Sequence, residues 1–275
     1  MFYSQDDIDK LKNENVHLSA FYDMYFELKE QQDRYKESIQ LPLINEEEIK
    51  QQIREGKPLL GNCEIDLTGL PALFMDIFNV YVRFTNMKSK AAIVAIEELK
   101  PDLVGALEEF LFQKGVTQIQ ALQADSIPAE ILVFLVKNTL APLVEKYSEF
   151  INPSIDFNSW ESGCCPICGH PPGLAELRKT SSGRQRYLFC SLCHISWPFQ
   201  RLKCPYCDNT EDRETEFLSF PDEENFRVDV CNYCKSYIKT VLNNNADLSP
   251  VLLDWSSQNV DDSAIQKGYK RVASM

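Results

Sequence analysis

The stretch Cys165–Cys193 reads CPICGHPPGLAELRKTSSGRQRYLFCSLC, and the stretch Cys204–Cys234 reads CPYCDNTEDRETEFLSFPDEENFRVDVCNYC. Each begins and ends with a Cys-x-x-Cys turn, called a knuckle below, and the two knuckles enclose 21 residues in the first stretch and 23 in the second. A knuckle directs two thiolates at one ion, and a hairpin of about twenty residues brings a second knuckle opposite. The pattern therefore predicts two tetrathiolate metal sites on two successive hairpins.

The pairing of the knuckles is suggested by the repeat, although four knuckles can be joined in three ways. Sequential pairing joins the two knuckles of each stretch. Four thiolates suit zinc and also a single rubredoxin-type iron, so the spacing leaves the metal open. The predicted ligands are Cys165, Cys168, Cys190 and Cys193 for the first site, and Cys204, Cys207, Cys231 and Cys234 for the second.

The same cysteines have two other interpretations. Disulfides need an oxidising compartment and usually a secretory signal, whereas the first residues, MFYSQDDIDKLKNEN, contain neither a basic nor an apolar segment. A thioredoxin-like dithiol is a single motif, and here the motif occurs four times. Of the remaining cysteines, Cys63 is interpreted as a small apolar residue and Cys164 as a spare thiol, an alternative ligand or a reactive group. His170 and His194 are interpreted as surface residues or as neighbours of the ligands.

The region before the knuckles is predicted to be helical, because its apolar residues recur three and four positions apart. One such stripe runs from Phe21 to Leu28 and another from Leu73 to Phe84. Pro142 is expected to kink or split a helix of some twenty residues that begins near Pro128. We predict an α+β protein with an all-α helical domain over residues 1–157, a rubredoxin-like or zinc-ribbon β module over 158–203, a second such module over 204–245, and a C-terminal extension over 246–275.

Charge is unevenly distributed along the chain, whose formal net charge is −13. The segment from Glu161 to Lys203 contains six basic and two acidic residues. The segment from Cys204 to Cys234 contains nine acidic residues and two arginines. The two ribbons are expected to dock on each other, to offer a bipolar surface to a partner, or to be solvated without a specific role. Nucleic acid is not an expected partner of so acidic a chain. No membrane span is expected either, since the most apolar stretch is shorter than the roughly 20 residues that a bilayer requires.

The run from Trp160 to Arg271 resembles the formate dehydrogenase accessory protein family, FdhE. The resemblance rests on CPICG with a proline shortly after it, on RYLFCSLCHISW, RLKCPYC and CNYCKSYIK, and on LLD followed at a distance by GYKR. It implies a cytoplasmic protein that is required for active formate dehydrogenase and acts on the catalytic subunit during maturation, without being an enzyme itself. It also implies that the eight paired cysteines bind two metal ions, iron or zinc.

Contacts with such a partner are predicted at the basic residues of the first ribbon and at the GYKR segment, and a homodimer is left open. One alternative function is a nucleic-acid-binding zinc ribbon, in which Tyr187, Phe189 and Trp197 stack on bases. Another is an electron carrier of the rubredoxin type. The candidate contact residues are Arg184, Arg186, Arg201, Lys203, Gly268, Tyr269 and Arg271.

Overall fold

In a computed structural model of the chain, two compact units are present. One combines Met1–Leu43 with Asn62–Phe150, and the other combines Ile44–Gly61 with Ile151–Met275. The first is helical and the second contains the sheet, so the predicted α+β class is confirmed. The described residues are 8–9, 12–13, 16–41, 46–62, 65–87, 89–98, 103–113, 127–151, 155–181, 183–211, 213–220, 223–243 and 248–275. Cys63 lies outside them.

The helices follow the predicted stripes with some shifts. In the first unit, α1 buries Met24 and Leu28 of the predicted stripe, but it buries Tyr22 in place of Phe21, which is 40% exposed. Pro142 does not split α6, because the neighbouring turns are buried and hold the helix together around the one missing hydrogen bond. The helices are α1 (Ser19–Ser38), α2 (Glu46–Arg54), α3 (Leu70–Thr85), α4 (Lys90–Glu98), α5 (Leu103–Gln113), α6 (Ala129–Ile151), α7 (Pro250–Ser256) and α8 (Gln258–Gln266).

Both ribbons of the second unit belong to one sheet with the order β3-β2-β1-β6-β5-β4. Each ribbon is an antiparallel three-stranded piece, and the pieces are joined by parallel pairing of β1 with β6, where Ala175 faces Thr240 and Glu176 faces Val241. The strand β7 pairs with the other part of β6. The strands are β1 (Pro172–Thr180), β2 (Gly183–Cys190), β3 (Ser196–Phe199), β4 (Thr215–Phe220), β5 (Glu223–Cys231), β6 (Ser236–Val241) and β7 (Lys270–Arg271).

The C-terminal extension packs on the sheet and completes its core. Apolar side chains alternate along β5, as expected for a strand with one buried face, and they meet residues of α7 and α8. Ser249 caps α7 by accepting a hydrogen bond from the Leu252 amide. The shared core contains Leu174, Phe189, Phe226, Val228, Val230, Tyr237, Val241, Leu253, Val260 and Ala264.

A buried ionic cluster fastens this extension to β6. The Lys239 ammonium is fully buried and lies 2.8 Å from a carboxylate oxygen of Asp254 and 2.8 Å from one of Asp261. Arg271 of β7 pairs with both carboxylates, and the Tyr237 hydroxyl donates to Asp261 at 2.8 Å. Paired charges satisfied in this way are tolerated inside a protein, whereas a single unpaired one is not.

The segment 46–61 contacts the first ribbon through Leu59 and Leu60, although the sequence assigns it to the helical domain. The amides of Leu59 and Leu60 donate to the carbonyls of Pro166 and Ile167 in the first knuckle, at 3.0 and 2.9 Å. Both leucines are buried. This segment therefore supports the first knuckle, and the four-part division drawn from the sequence stays a prediction.

Candidate metal centres

All four knuckles have the same backbone shape. The residue after the second cysteine is left-handed in each, with φ of 74° at Gly169, 58° at His194, 59° at Asp208 and 56° at Lys235. In each of the first three knuckles the amide of the first cysteine donates to the carbonyl five residues on, at 2.9 Å. Residues other than glycine pay a steric cost in this region. The repeated shape therefore indicates that bringing the sulfur atoms together determines the backbone conformation.

The strain at Lys235 gives a test of this shape. We expect Lys235→Val to be less stable than Lys235→Gly by roughly 1–2 kcal/mol, because a β-branched side chain is poorly accommodated at positive φ. Lys235 is exposed and its ammonium lies over the ring of Tyr269, a contact that both variants lose. Urea unfolding of the metal-loaded variants measures the difference. Equal stability of the two variants contradicts the assignment of strain.

The first quartet lies wholly inside the second unit. Its sulfur atoms are 3.5 Å apart for Cys165 and Cys193, 3.3 Å for Cys168 and Cys190, and 3.8 Å for Cys168 and Cys193. All four residues are buried, with Ile167 and Leu192 fully buried beside them. The amides of Leu192 and Cys193 donate to the Cys190 sulfur at 3.3 and 3.4 Å.

The second quartet is more open. The sulfur atoms are 3.8 Å apart for Cys204 and Cys234 and 3.7 Å for Cys207 and Cys231. Cys204 and Cys231 are buried, whereas Cys207 and Cys234 are partly exposed. The Ser236 hydroxyl lies 2.8 Å from the Cys234 sulfur and is a polar neighbour that the spacing of the cysteines did not reveal.

Both quartets fit a tetrahedral ion. Metal–sulfur bonds of about 2.3 Å place the four sulfurs about 3.8 Å apart. The separations above run from 3.3 to 3.8 Å and lie within half an ångström of that value. The sulfur atoms of each quartet lie within 4.8 Å of one another. These cysteines are free thiols, so disulfides do not account for them. The eight predicted ligands are thus brought together in the two sequential groups.

The thiols within each quartet differ in pKa. Burial raises the pKa of Cys165 and of Cys193. Burial opposes ionisation of Cys168 too, but hydrogen bonds from the other three thiols and from His170 outweigh it and hold its pKa well below the usual value. At Cys234, burial is outweighed by hydrogen bonds from Ser236, which lower the pKa to about 7. Each quartet therefore contains one thiol with a lowered pKa. A metal ion that binds there releases the protons of the other thiols.

The unequal burial predicts that the two sites release metal at different rates. A chelator such as EDTA is expected to remove the ion of the second quartet first, because solvent reaches Cys207 and Cys234 but none of the first four sulfurs. Release should be biphasic, with about one ion per chain in each phase. In Cys207→Ser only the slow phase should remain. Single-phase release of two ions from the unmodified chain contradicts the prediction.

The candidate contact residues of the first ribbon lie in different environments. Arg201 is exposed and Arg184 partly exposed, while Arg186 is buried. Arg186 lies 3.6 Å from Asp229 of the second ribbon, and Lys203 lies 2.7 Å from Asp208. Opposite charges of the two ribbons therefore pair inside this unit, as in the expectation that the ribbons dock on each other.

The GYKR segment supports the second quartet. The Tyr269 hydroxyl donates to Asn232 in the fourth knuckle at 2.7 Å, and the Lys270 amide donates to the Lys235 carbonyl at 2.8 Å. Gly268 is exposed with φ of 87°, and Arg271 belongs to the ionic cluster. A role of these residues in partner contacts stays a prediction.

The aromatic residues proposed for base stacking are mostly covered. Trp197 is fully buried and Phe189 is 9% exposed, while Tyr187 lies beneath the guanidinium of Arg178, 4.1 Å from its ring centre. Stacking needs open ring faces, so this ribbon does not present the platform that the nucleic-acid interpretation requires. No helix among the described residues has the length and apolar character needed to span a bilayer.

The fold and site define a class of protein in which a helical unit accompanies a sheet that carries two tetrathiolate centres. The family model for the FdhE central domain matches residues 164–201. The FdhE protein from Pseudomonas aeruginosa has a crystal structure that superposes with a TM-score of 0.66 at 20% identity, covering 97% of this chain and 90% of that one. This likeness establishes the fold.

Proteins of similar sequence match a larger part of the chain than the family model does. A protein FdhE homolog from Aquifex aeolicus is 23% identical over 232 residues, which are 83% of this chain and 77% of the relative. Another from Pseudomonas putida is 31% identical over 161 residues, so the alignment spans 55% of this chain and about half, 49%, of that relative. The resemblance predicted from the sequence is confirmed: the chain is similar in sequence to proteins named FdhE homolog and in fold to an FdhE protein.

Proposed function

We propose that this chain is an accessory protein that binds the catalytic subunit of formate dehydrogenase during its maturation and does not itself turn over formate. The observation that carries the proposal is the pair of closed quartets in a relative of FdhE. A centre with four protein thiolates leaves no coordination position for a substrate. Such a centre stabilises a fold or transfers one electron, and both roles suit a factor that assists assembly of a redox enzyme.

We further propose that each quartet holds one ion, iron or zinc, in a cytoplasmic protein. Cys165, Cys168, Cys190 and Cys193 would hold one, and the four cysteines of the second quartet the other. An ion in either quartet would supply folding free energy, and iron would add one-electron chemistry. The free state of all eight thiols supports a reducing compartment, because disulfides are favoured in oxidising ones.

Co-purification tests this function directly. The tagged chain is recovered from anaerobically grown cells, and bound proteins are identified by mass spectrometry while metal is measured in the same sample. We expect enrichment of the formate dehydrogenase catalytic subunit over an untagged control, retained at high salt, with about two ions per chain. Absence of that enrichment, together with normal formate dehydrogenase activity in cells lacking the protein, overturns the proposal. A reddish, reversibly bleached iron protein without the subunit supports the electron carrier instead.

A further inference from the structure

A small cleft, with a volume of about 60 Å³, lies beside the second quartet, within the sheet-containing unit. One wall is the link between the ribbons, residues 201–206, and the other is formed by β4, β5 and β6. The link is held in place by Arg186, whose Nη1 donates to the carbonyls of Arg201 and Lys203 at 3.4 and 3.2 Å. The cleft is thus built from both ribbons and depends on their joining.

Two guanidinium groups on these walls have donors to spare. Arg227 stacks on the Phe217 ring at 4.7 Å, and its Nε lies 2.7 Å from an Asp229 oxygen as an ion pair. No hydrogen-bond partner of this buried Nε is present among the described residues. The exposed Arg201 side chain has no partner there either. The Asp229 carboxylate near Arg227 also accepts a hydrogen bond from the Thr240 hydroxyl at 2.8 Å, so its oxygens are shared.

Arg186 adds donors that are already desolvated. It is 2% exposed, and in the described part of the chain its Nε and Nη2 atoms have no hydrogen-bond acceptor. The carboxylate of Asp229 is 3.6 Å away, which is beyond a good hydrogen bond. A buried charged donor left unsatisfied costs free energy that an incoming oxygen recovers. The wall therefore favours an anionic acceptor over a neutral one.

The rim of the cleft is apolar. Leu202 is 55% exposed and Phe217 is 59% exposed, and both line the opening. A free inorganic anion gains nothing from such a rim, whereas a peptide that carries an apolar side chain next to a carboxylate does. Guanidinium groups bind carboxylates in a planar, bidentate manner. The chain as a whole repels acidic ligands, since its net charge is −13, so any such binding depends on these direct contacts.

We propose that this cleft binds an acidic segment of a partner protein, with an aspartate or glutamate carboxylate among Arg186, Arg201 and Arg227 and an adjacent apolar side chain on Leu202 and Phe217. The inference rests on the proposed function, for which it names the part of the partner that is recognised.

Peptide binding tests the cleft without the partner. The probe is a fluorescein-labelled hexapeptide of alternating glutamate and leucine, and its comparison is the same peptide with glutamine for glutamate. Anisotropy titration of the full-length, metal-loaded chain is expected to show tighter binding of the glutamate peptide. The double variant Arg201→Gln, Arg227→Gln should weaken it by about tenfold or more. The matched control Lys179→Gln, Arg54→Gln makes the same change in net charge at two exposed positions outside the cleft, and should not weaken it.

Three results overturn the proposal: equal binding of the two peptides, equal weakening by the cleft and control variants, or inorganic phosphate displacing the probe as effectively as unlabelled glutamate peptide. The last result assigns the cleft to a small oxyanion. Co-purification of the catalytic subunit separates this inference from the function. If the cleft variant captures the subunit as well as the unmodified chain does, the cleft assignment fails and the function stands. If the unmodified chain captures none, the function fails, and the peptide titration still decides the cleft.

Discussion

Replacing Cys190 with serine is expected to remove one metal ion per chain and to unfold the first ribbon. The Cys190 sulfur lies 3.3 Å from that of Cys168 at the centre of the buried quartet. Structural zinc sites supply on the order of 10–16 kcal/mol of apparent binding free energy, which is also folding free energy. Loss of one of four thiolates should forfeit much of it. Metal analysis combined with proteolysis of the variant measures the effect.

The matched control for Cys190→Ser is Cys164→Ser. Cys164 is next to the first knuckle in sequence, but its sulfur contacts the Ser162 hydroxyl at 3.2 Å and is not a member of the quartet. We expect Cys164→Ser to keep both ions and the fold. Retention of two ions per chain by Cys190→Ser contradicts the assignment of the first quartet, and loss of an ion from Cys164→Ser makes Cys164 an alternative ligand.

The variant Lys239→Met is expected to destabilise the sheet-containing unit by about 3–5 kcal/mol at neutral pH, because removing one member of a buried ion cluster leaves uncompensated charge. Burial raises the pKa of Asp254, but Lys239 and Arg271 outweigh it and hold the pKa below its ordinary value of 3.8. Because the pKa of this carboxyl is lower in the folded than in the unfolded chain, its ionised form stabilises the fold at pH values above the unfolded pKa. That contribution is lost as the pH falls through the folded pKa. The cluster therefore contributes fully at pH 7.

Urea unfolding at pH 7 measures the cost, with Lys270→Met as the control. Lys270 is exposed, and its backbone makes the contact to Lys235, so its side chain should be replaceable within about 0.5 kcal/mol. Similar stabilities of Lys239→Met and the unmodified chain would show that the cluster is not stabilising. The expected order is the unmodified chain and Lys270→Met together, with Lys239→Met far below them.

The ligand quartets could be predicted because their signal is local. A knuckle such as Cys165–Cys168 fixes its own geometry within a few residues, and the repeat of hairpin length indicates which knuckles meet. The helical region followed from apolar periodicity for the same reason. At Phe21 and Tyr22 two aromatic residues are adjacent, and periodicity alone did not show which of the two is buried.

The remaining features depend on residues far apart in sequence. The parallel pairing of Ala175 with Thr240 has no sequence signature, since both strands also look complete within their own ribbons. Nothing near Arg271 in the sequence reveals that it pairs with Asp254 and Asp261. The sequence assigns Leu59 to the helical domain, because its hydrogen bond to Pro166 spans about a hundred residues and leaves no local signal. Long-range contacts of this kind are decided by packing, not by local pattern.

Joining the ribbons through β1 and β6 also has a consequence for aggregation. Two separate ribbons would expose four strand edges, and exposed edges invite pairing with other molecules. In the joined sheet, as far as the structure describes it, β1 and β6 cover part of each other's edge and β7 covers the start of β6, which leaves β3 and β4 as the outermost strands. The strand β3 is four residues long and carries Pro198, which cannot donate a hydrogen bond to an added strand. A gene fragment that encodes one ribbon alone should therefore yield a protein that precipitates even when its own four cysteines hold their ion.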